Sequence, residues 1–266
     1  MLLKDRVAVV TGGGSGIGRS IALGLAAEGA KVAIYDVDGI KAQEVSGLVP
    51  SHEAEGMAIQ GSVADEKQAR AMVEKVIRAY GRIDILVNSA GILGTKGLFE
   101  ETSTEDWEKV IKVNLTGVFI CCREVLPYMK EKRYGKIVII GSTAGQRMGV
   151  LGGVAYASSK SGLNSLTRHL AFEVAPFGIN VNMVLPGPVA TAMRQDDGKA
   201  AHARERQVPM GRLIEPSEVA DAVVFLASEK ARMIAGAFLP VDGGILTGWF
   251  EPDVYYEKFL GKKLKV

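Results

Sequence analysis

Short apolar runs alternate with amphipathic helical stretches along nearly the whole chain, and this alternation limits the fold more than any other feature of the sequence. Val7–Thr11 opens the series as a continuous apolar run, the form expected of a strand buried on both faces. Further strands are expected at Lys31–Asp36, Met57–Gln60, Ile83–Asn88, Lys136–Ile140, Ile179–Leu185 and Phe238–Val241. Helices are expected between them, at Ile17–Glu28, Gly39–Val49, Asp65 to Gly81, from about Thr104, at Ala155–Ala175 and at Pro216–Ser228. Asp65 and Gln68 have capping-box spacing, and Ala69, Met72, Val73, Val76 and Ile77 mark one inner face. Pro216 stands where a missing N–H costs least, while Pro176 and Gly178 end the preceding helix. Strands alternating with helices form βαβ units, and right-handed crossovers assemble these into a parallel sheet covered on both faces. The expectation is α/β: a single doubly wound domain over residues 1–266, with about seven strands.

Composition removes several classes of partner. Lys and Arg number 32 against 30 Asp and Glu, a formal charge of +2, so nothing draws the chain to nucleic acid or an anionic membrane. No stretch approaches the roughly 18 apolar residues of a spanning helix, and Val7–Val10 is too short for a signal core. The only cysteines, Cys121 and Cys122, are adjacent and on a helix would diverge. They read as core thiols in a reducing compartment, so the cytoplasm is the expected location. His52, His169 and His202 are scattered without zinc spacing, and no catalytic metal is expected.

The chemistry concentrates in two constellations. The first strand runs into Thr11-Gly12-Gly13-Gly14-Ser15-Gly16-Ile17-Gly18, and the next strand ends at Asp36. Glycines there bring backbone N–H groups against a pyrophosphate seated on a helix N-terminus. A glycine-rich loop alone is also simply a flexible turn, and an acid alone is also a solvated cap. Loop and acid together point to a dinucleotide, with Asp36 accepting from the adenosine ribose and repelling a 2′-phosphate. The second constellation is Tyr156 and Lys160, four residues apart on one helical face. An ammonium beside a phenol stabilises phenolate and brings tyrosine toward the range of a general acid/base. Ser142 follows a strand, at the sheet edge where open α/β sheets bind ligands.

In this order and spacing, the glycine loop, Asn88-Ser89-Ala90-Gly91, Asn114, Ser142, Tyr156-x-x-x-Lys160 and Pro186-Gly187 resemble the short-chain dehydrogenase/reductase family from Arg6 to about Gly244. The resemblance implies a Rossmann domain and hydride transfer between a nicotinamide and a carbonyl or secondary alcohol. It implies that Tyr156 exchanges the proton on the substrate oxygen and that Ser142 hydrogen-bonds that oxygen. Lys160 would hold the nicotinamide ribose, and Asn114 would anchor a water leading to Lys160. The alternative for Asn114 is a buried side chain–backbone bond. Cofactor contacts are implied at Gly12, Ser15, Gly16, Ile17, Gly18, Asp36, Ser62, Val63, Asn88, Ala90, Gly91, Tyr156, Lys160, Pro186, Gly187, Val189 and Thr191. At the adenine, either the Ser62 hydroxyl or only the Val63 backbone serves. Asp36, and Ser15 in place of a basic residue, make NAD the expected cofactor.

The sequence departs from the family pattern at Ser89, at Ser62 and in a longer Gln146–Gly153 loop. Ile92, Leu93, Met148, Val150 and Val154 are candidate pocket walls, under a lid around residues 191–212. Within the family the chain resembles 3-oxoacyl-carrier-protein reductases and, equally, sugar, polyol, hydroxy-acid or cyclic alcohol dehydrogenases. Lys130, Lys132 and Arg133 would suit an acidic carrier protein, whereas Phe177 and Asp36 argue against one. A non-catalytic dinucleotide-binding regulator would have no need of Ser142, Tyr156 and Lys160 together. An epimerase or lyase would carry more chain beyond Val241. The tail, residues 245–266, holds five aromatics and a basic end; it reads as packed on its own subunit or on a neighbour. The resemblance implies a homo-oligomer, a tetramer in the first instance.

Overall fold

The computed structural model describes residues 1–49, 55–147, 152–191, 205–248, 254–259 and 261. Among them, seven strands form one parallel sheet: β1 (Val7–Thr11), β2 (Lys31–Asp36), β3 (Gly56–Gln60), β4 (Ile85–Asn88), β5 (Gly135–Ile140), β6 (Ile179–Pro186) and β7 (Phe238–Val241). Their spatial order is β3-β2-β1-β4-β5-β6-β7. The chain winds outward from β1 to β3, then returns beside β1 and winds the other way. The order therefore reverses between β1 and β4, which opens a crevice beyond the carboxyl ends of those strands.

The apolar runs divide their side chains between two cores because a strand alternates faces. Ala8 and Val10 of β1 join Ile21 and Leu25 of α1 (Gly16–Ala27) and Val219 and Val223 of α7 (Pro216–Ala227). Val7 and Val9 face the other way, toward Met72 and Val76 of α3 (Glu66–Tyr80), Val125 of α5 (Gly117–Lys132) and Leu163 of α6 (Val154–Val174). Completing the helices are α2 (Gly39–Gly47) and α4 (Thr104–Ile111). α3 has the capping expected of it: Asp65 accepts from the Gln68 N–H, and Gly81 closes the helix at φ 72°. Cys121 and Cys122 are buried free thiols in α5, and burial pushes both upward, Cys122 to about 12.

The long helix expected from Thr104 is not uniform. Between α4 and α5 the chain forms a π-turn, Lys112–Thr116, in which the Gly117 N–H reaches back to the Lys112 carbonyl. The extra residue in that turn accompanies an asparagine that the helix alone would disfavour, Asn114. Other boundaries shift by one or two residues, β4 beginning at Ile85 rather than Ile83. Of the expected lid, residues 192–204 lie outside the described residues, as do pocket candidates Met148 and Val150 and most of the tail.

Candidate active site

The sequence-predicted residues converge on the carboxyl edge of the sheet, and the glycine loop forms its floor. Gly12 and Gly16 hold φ of 64° and 50°, a region that suits glycine. A Cβ on Gly12 would lie 2.7 Å from the Ala90 Cα, and one on Gly18 would strike the Gly12 carbonyl. Side chains are thus excluded and the backbone itself lines the crevice. Ser15 precedes α1 without capping it through its side chain, and no acidic residue occupies the first turn. The first N–H groups of α1, around Gly16, Ile17 and Gly18, therefore keep their capacity for an anion. This cradle fits a dinucleotide pyrophosphate. Thr191 closes over it, its Cγ2 3.5 Å from where a Gly16 Cβ would stand.

Asp36 is half-buried at the end of β2. One oxygen accepts from the Gly14 N–H at 2.9 Å and the other from the Asp38 N–H at 3.0 Å. The capping role open to an acid here belongs to its neighbour instead: Asp38 accepts from the Ile40 and Lys41 N–H groups of α2. Those backbone bonds hold the Asp38 carboxyl below its usual range. Asp36 is left oriented at the rim of the glycine loop. Nearby, the Ser62 hydroxyl accepts from the Ala64 N–H, the Ser62 carbonyl accepts from the Tyr35 hydroxyl, and Val63 is buried.

On the far side of the crevice, Thr11 fixes the loop after β4. Its hydroxyl accepts from the Ser89 and Ala90 N–H groups at 3.1 and 3.2 Å. Asn88 turns its side chain inward to the Cys122 sulfur, so contact with a cofactor would run through its backbone. A Cβ on Gly91 would stand 3.4 Å from Asn114 Oδ1 and 3.7 Å from Lys160 Nζ. Asn114, fully buried, accepts from the Ile92 N–H at 2.8 Å and donates to the Ile92 carbonyl at 2.9 Å. The side chain–backbone bond weighed from the sequence is therefore present. Asn114 also donates to the Ser159 hydroxyl at 3.1 Å.

Lys160 is the buried charge of the site. Its ammonium donates to the Ile140 carbonyl at the end of β5, 2.8 Å away, and lies 5.8 Å from the centroid of the Tyr156 ring. Loss of water lowers its pKa to about 8. Ser142 begins the turn after β5, its hydroxyl accepting from the Ala144 N–H at 3.1 Å. That turn is tied to α6, because the Gly145 carbonyl accepts from Ser161 and Asn164. Ser142, Tyr156 and Lys160 thus rest on two elements bonded to each other. Pro186, the last residue of β6, and Gly187 and Val189 beyond it are buried, and the Gly187 N–H donates to the Val241 carbonyl. The Ile140 carbonyl, the Thr11 clamp and Ser159 were not identified from the sequence. Backbone groups carry no sequence signal, and Ser and Thr are too common to single out by type. Among the described residues no three His, Cys, Asp or Glu side chains gather as a metal site, and no helix is long and apolar enough to cross a membrane.

Comparison with known proteins finds relatives over most of the chain. The family model described as enoyl-(acyl carrier protein) reductase matches residues 12–246. The 3-oxoacyl-(acyl-carrier-protein) reductase FabG of Thermotoga maritima is 39% identical over 252 residues, covering 92% of this chain and all of that protein. Levodione reductase of Leifsonia aquatica is 38% identical over 251 residues, covering 90% of this chain and 94% of its own. A crystal structure of levodione reductase superposes with a TM-score of 0.89 at 35% identity, over 93% of this chain and all of that one.

Proposed function

This chain belongs to the short-chain dehydrogenase/reductase family of oxidoreductases, which bind a nicotinamide dinucleotide, and from that premise we propose an NAD-dependent enzyme interconverting a ketone and a secondary alcohol. The observation that carries the reading is the Lys160 ammonium, buried against the Ile140 carbonyl and set beside the Tyr156 ring and the Gly91 loop. When bound, the nicotinamide supplies or accepts a hydride. The protein's own groups handle binding and the proton. The glycine loop and the first turn of α1 hold the pyrophosphate, and Asp36 takes the adenosine ribose. Its fixed carboxylate repels a 2′-phosphate, which is the reason for NAD. Ser62, Val63, Ala90 and Gly91 line the nucleoside side, and Pro186, Gly187, Val189 and Thr191 the nicotinamide side.

In the reducing direction Tyr156 gives its phenolic proton to the substrate oxygen, and in the oxidising direction it takes that proton back. Ser142 donates to the same oxygen as negative charge gathers there. Lys160 favours the phenolate and donates to the nicotinamide ribose; Asn114 holds the loop beside it and supports a water on the path to solvent. The whole chain acts as one domain, with a lid at 191–212 and a tail at 245–266. We place it in the cytoplasm as a homotetramer, for which Phe119 on α5 and Phe172 on α6, 49% and 87% exposed, offer apolar contact.

A carrier-linked 3-oxoacyl substrate is the second reading, favoured by the likeness to FabG. Against it, Lys130 is engaged with Glu173 at 3.5 Å and stacked 4.9 Å from the Phe177 ring, and Arg133 donates to the Pro176 carbonyl. The test is turnover with NAD and with NADP over a panel of secondary alcohols, small ketones and 3-oxoacyl thioesters, with Tyr156→Phe as control. NAD-linked turnover that disappears with the phenol supports the reading. Preference for NADP would overturn the role given to Asp36, and an active Tyr156→Phe enzyme would overturn the acid/base assignment.

A further inference from the structure

We propose that Ser159 is a positioning residue for the reaction, coupling the loop that faces the cofactor to the helical turn that carries Tyr156 and Lys160. The inference rests on the function proposed above. Ser159 is fully buried on α6, between Tyr156 and Lys160 in sequence. Its hydroxyl donates to the Tyr156 carbonyl at 2.7 Å and accepts from Asn114 Nδ2 at 3.1 Å.

The direction of every bond in this chain is determined. A carbonyl only accepts, so the Ser159 proton goes to Tyr156 and its lone pair faces Asn114. Asn114 must then present its amino group to Ser159, which leaves its oxygen for the Ile92 N–H and its second amino hydrogen for the Ile92 carbonyl. Ile92 follows Gly91, where a Cβ would stand 3.7 Å from the Lys160 ammonium. A serine bonding back to its own helix is common and by itself means only local accommodation. Here the same hydroxyl has a second partner, and that partner holds both backbone groups of a residue on another element. The link therefore runs from the backbone of Ile92 to the backbone of Tyr156 without crossing water. Its effect is to set the phenol and the ammonium against the loop that bears the nicotinamide ribose.

Ser159→Ala cuts this link alone. The loop keeps its Thr11 clamp and its two bonds to Asn114, so cofactor affinity should hold. Displacing reacting groups by a fraction of an ångström should lower kcat roughly tenfold or more. The experiment measures kcat, its pH profile and the affinity for NADH by fluorescence titration, for the wild type, Ser159→Ala and Ser159→Thr. The expected result is a lower kcat and a displaced pH profile in the Ala variant at unchanged NADH affinity, with recovery when threonine restores the hydroxyl. A wild-type kcat and pH profile in Ser159→Ala would overturn the proposal, even if the melting temperature fell, because that is what a purely structural serine predicts. Equal loss of NADH affinity and turnover would overturn it too. If Ser159→Thr does not fold, the Ala variant decides alone; if it folds as the wild type does yet stays slow, the hydroxyl is not the cause and the proposal falls. Absence of turnover in the wild type would instead remove the functional reading on which the inference stands.

Discussion

Lys160 shows how one residue pays in stability for a chemical position. Its charge is held away from water by Gly91, Asn114 and the end of β5, with a single carbonyl as its bonded partner in the described structure. Burial lowers its pKa from 10.5 to about 8, a difference of about 3 kcal/mol between the protonation states in the folded and unfolded chain. The sign follows from proton counting. Below pH 8 both states hold the proton and the folded state carries the whole cost of the buried charge. Between about pH 8 and 10.5 only the unfolded chain keeps it, so this group's contribution to stability rises with pH. Lys160→Met should therefore be inactive yet more stable than the wild type, with the gain largest at pH 7 and shrinking steadily above pH 8. Parallel urea titrations of the two proteins across that range would measure it, and a gain independent of pH would contradict the assignment. The positions of Tyr156 and Lys160 were legible from their spacing, since i,i+4 residues share a helical face. The lysine's acceptor was not, because it is a backbone oxygen of another element.

At the scale of elements, the helices that build the site are terminated differently from those that only cover the sheet. α3 is closed at both ends by its own residues, with Asp65 capping Gln68 and Gly81 in the left-handed region. α1 leaves its first N–H groups without a side-chain cap, directly above the crevice. Two predictions separate these roles. Asp65→Ala removes the side-chain cap of α3 and should lower the midpoint of chemical denaturation while leaving kcat and cofactor affinity as they were. Gly18→Ala drives a methyl into the Gly12 carbonyl, so calorimetric titration should find dinucleotide binding lost or greatly weakened. Binding at wild-type affinity would mean that the loop is not the pyrophosphate cradle. The π-turn between α4 and α5 belongs to the same scale. Periodicity could not place it, because one extra residue in a helical turn leaves the apolar pattern on either side almost unchanged.

Over the whole molecule the sheet has two chemically distinct edges. The carboxyl edge holds the crevice; the amino edge is pinned by a buried carboxylate, Asp84, which accepts from the Val7 N–H at 3.0 Å and pairs with Arg82 at 2.5 Å and Arg6 at 3.6 Å. Lys136 and Asn180 extend that polar layer across β5 and β6 at 2.7 Å. Asp84→Ala should cost about 2–3 kcal/mol, less than a fully buried pair because both arginines reach water. Its effect on kcat at saturating substrate should be slight, since the two edges are separated by the length of the strands. A large fall in kcat without loss of stability would contradict that division. The sequence by itself determined the parallel, doubly wound architecture, since period-2 and period-3.6 patterns record which faces must be buried. It also determined the floor of the crevice, because glycine is demanded wherever a Cβ would meet backbone. Only the tertiary structure decided what holds Tyr156 and Lys160 in place. The Lys160–Ile140 bond, the Thr11 clamp and the chain from Ile92 through Asn114 and Ser159 to Tyr156 join segments far apart in sequence, through backbone atoms that every residue shares.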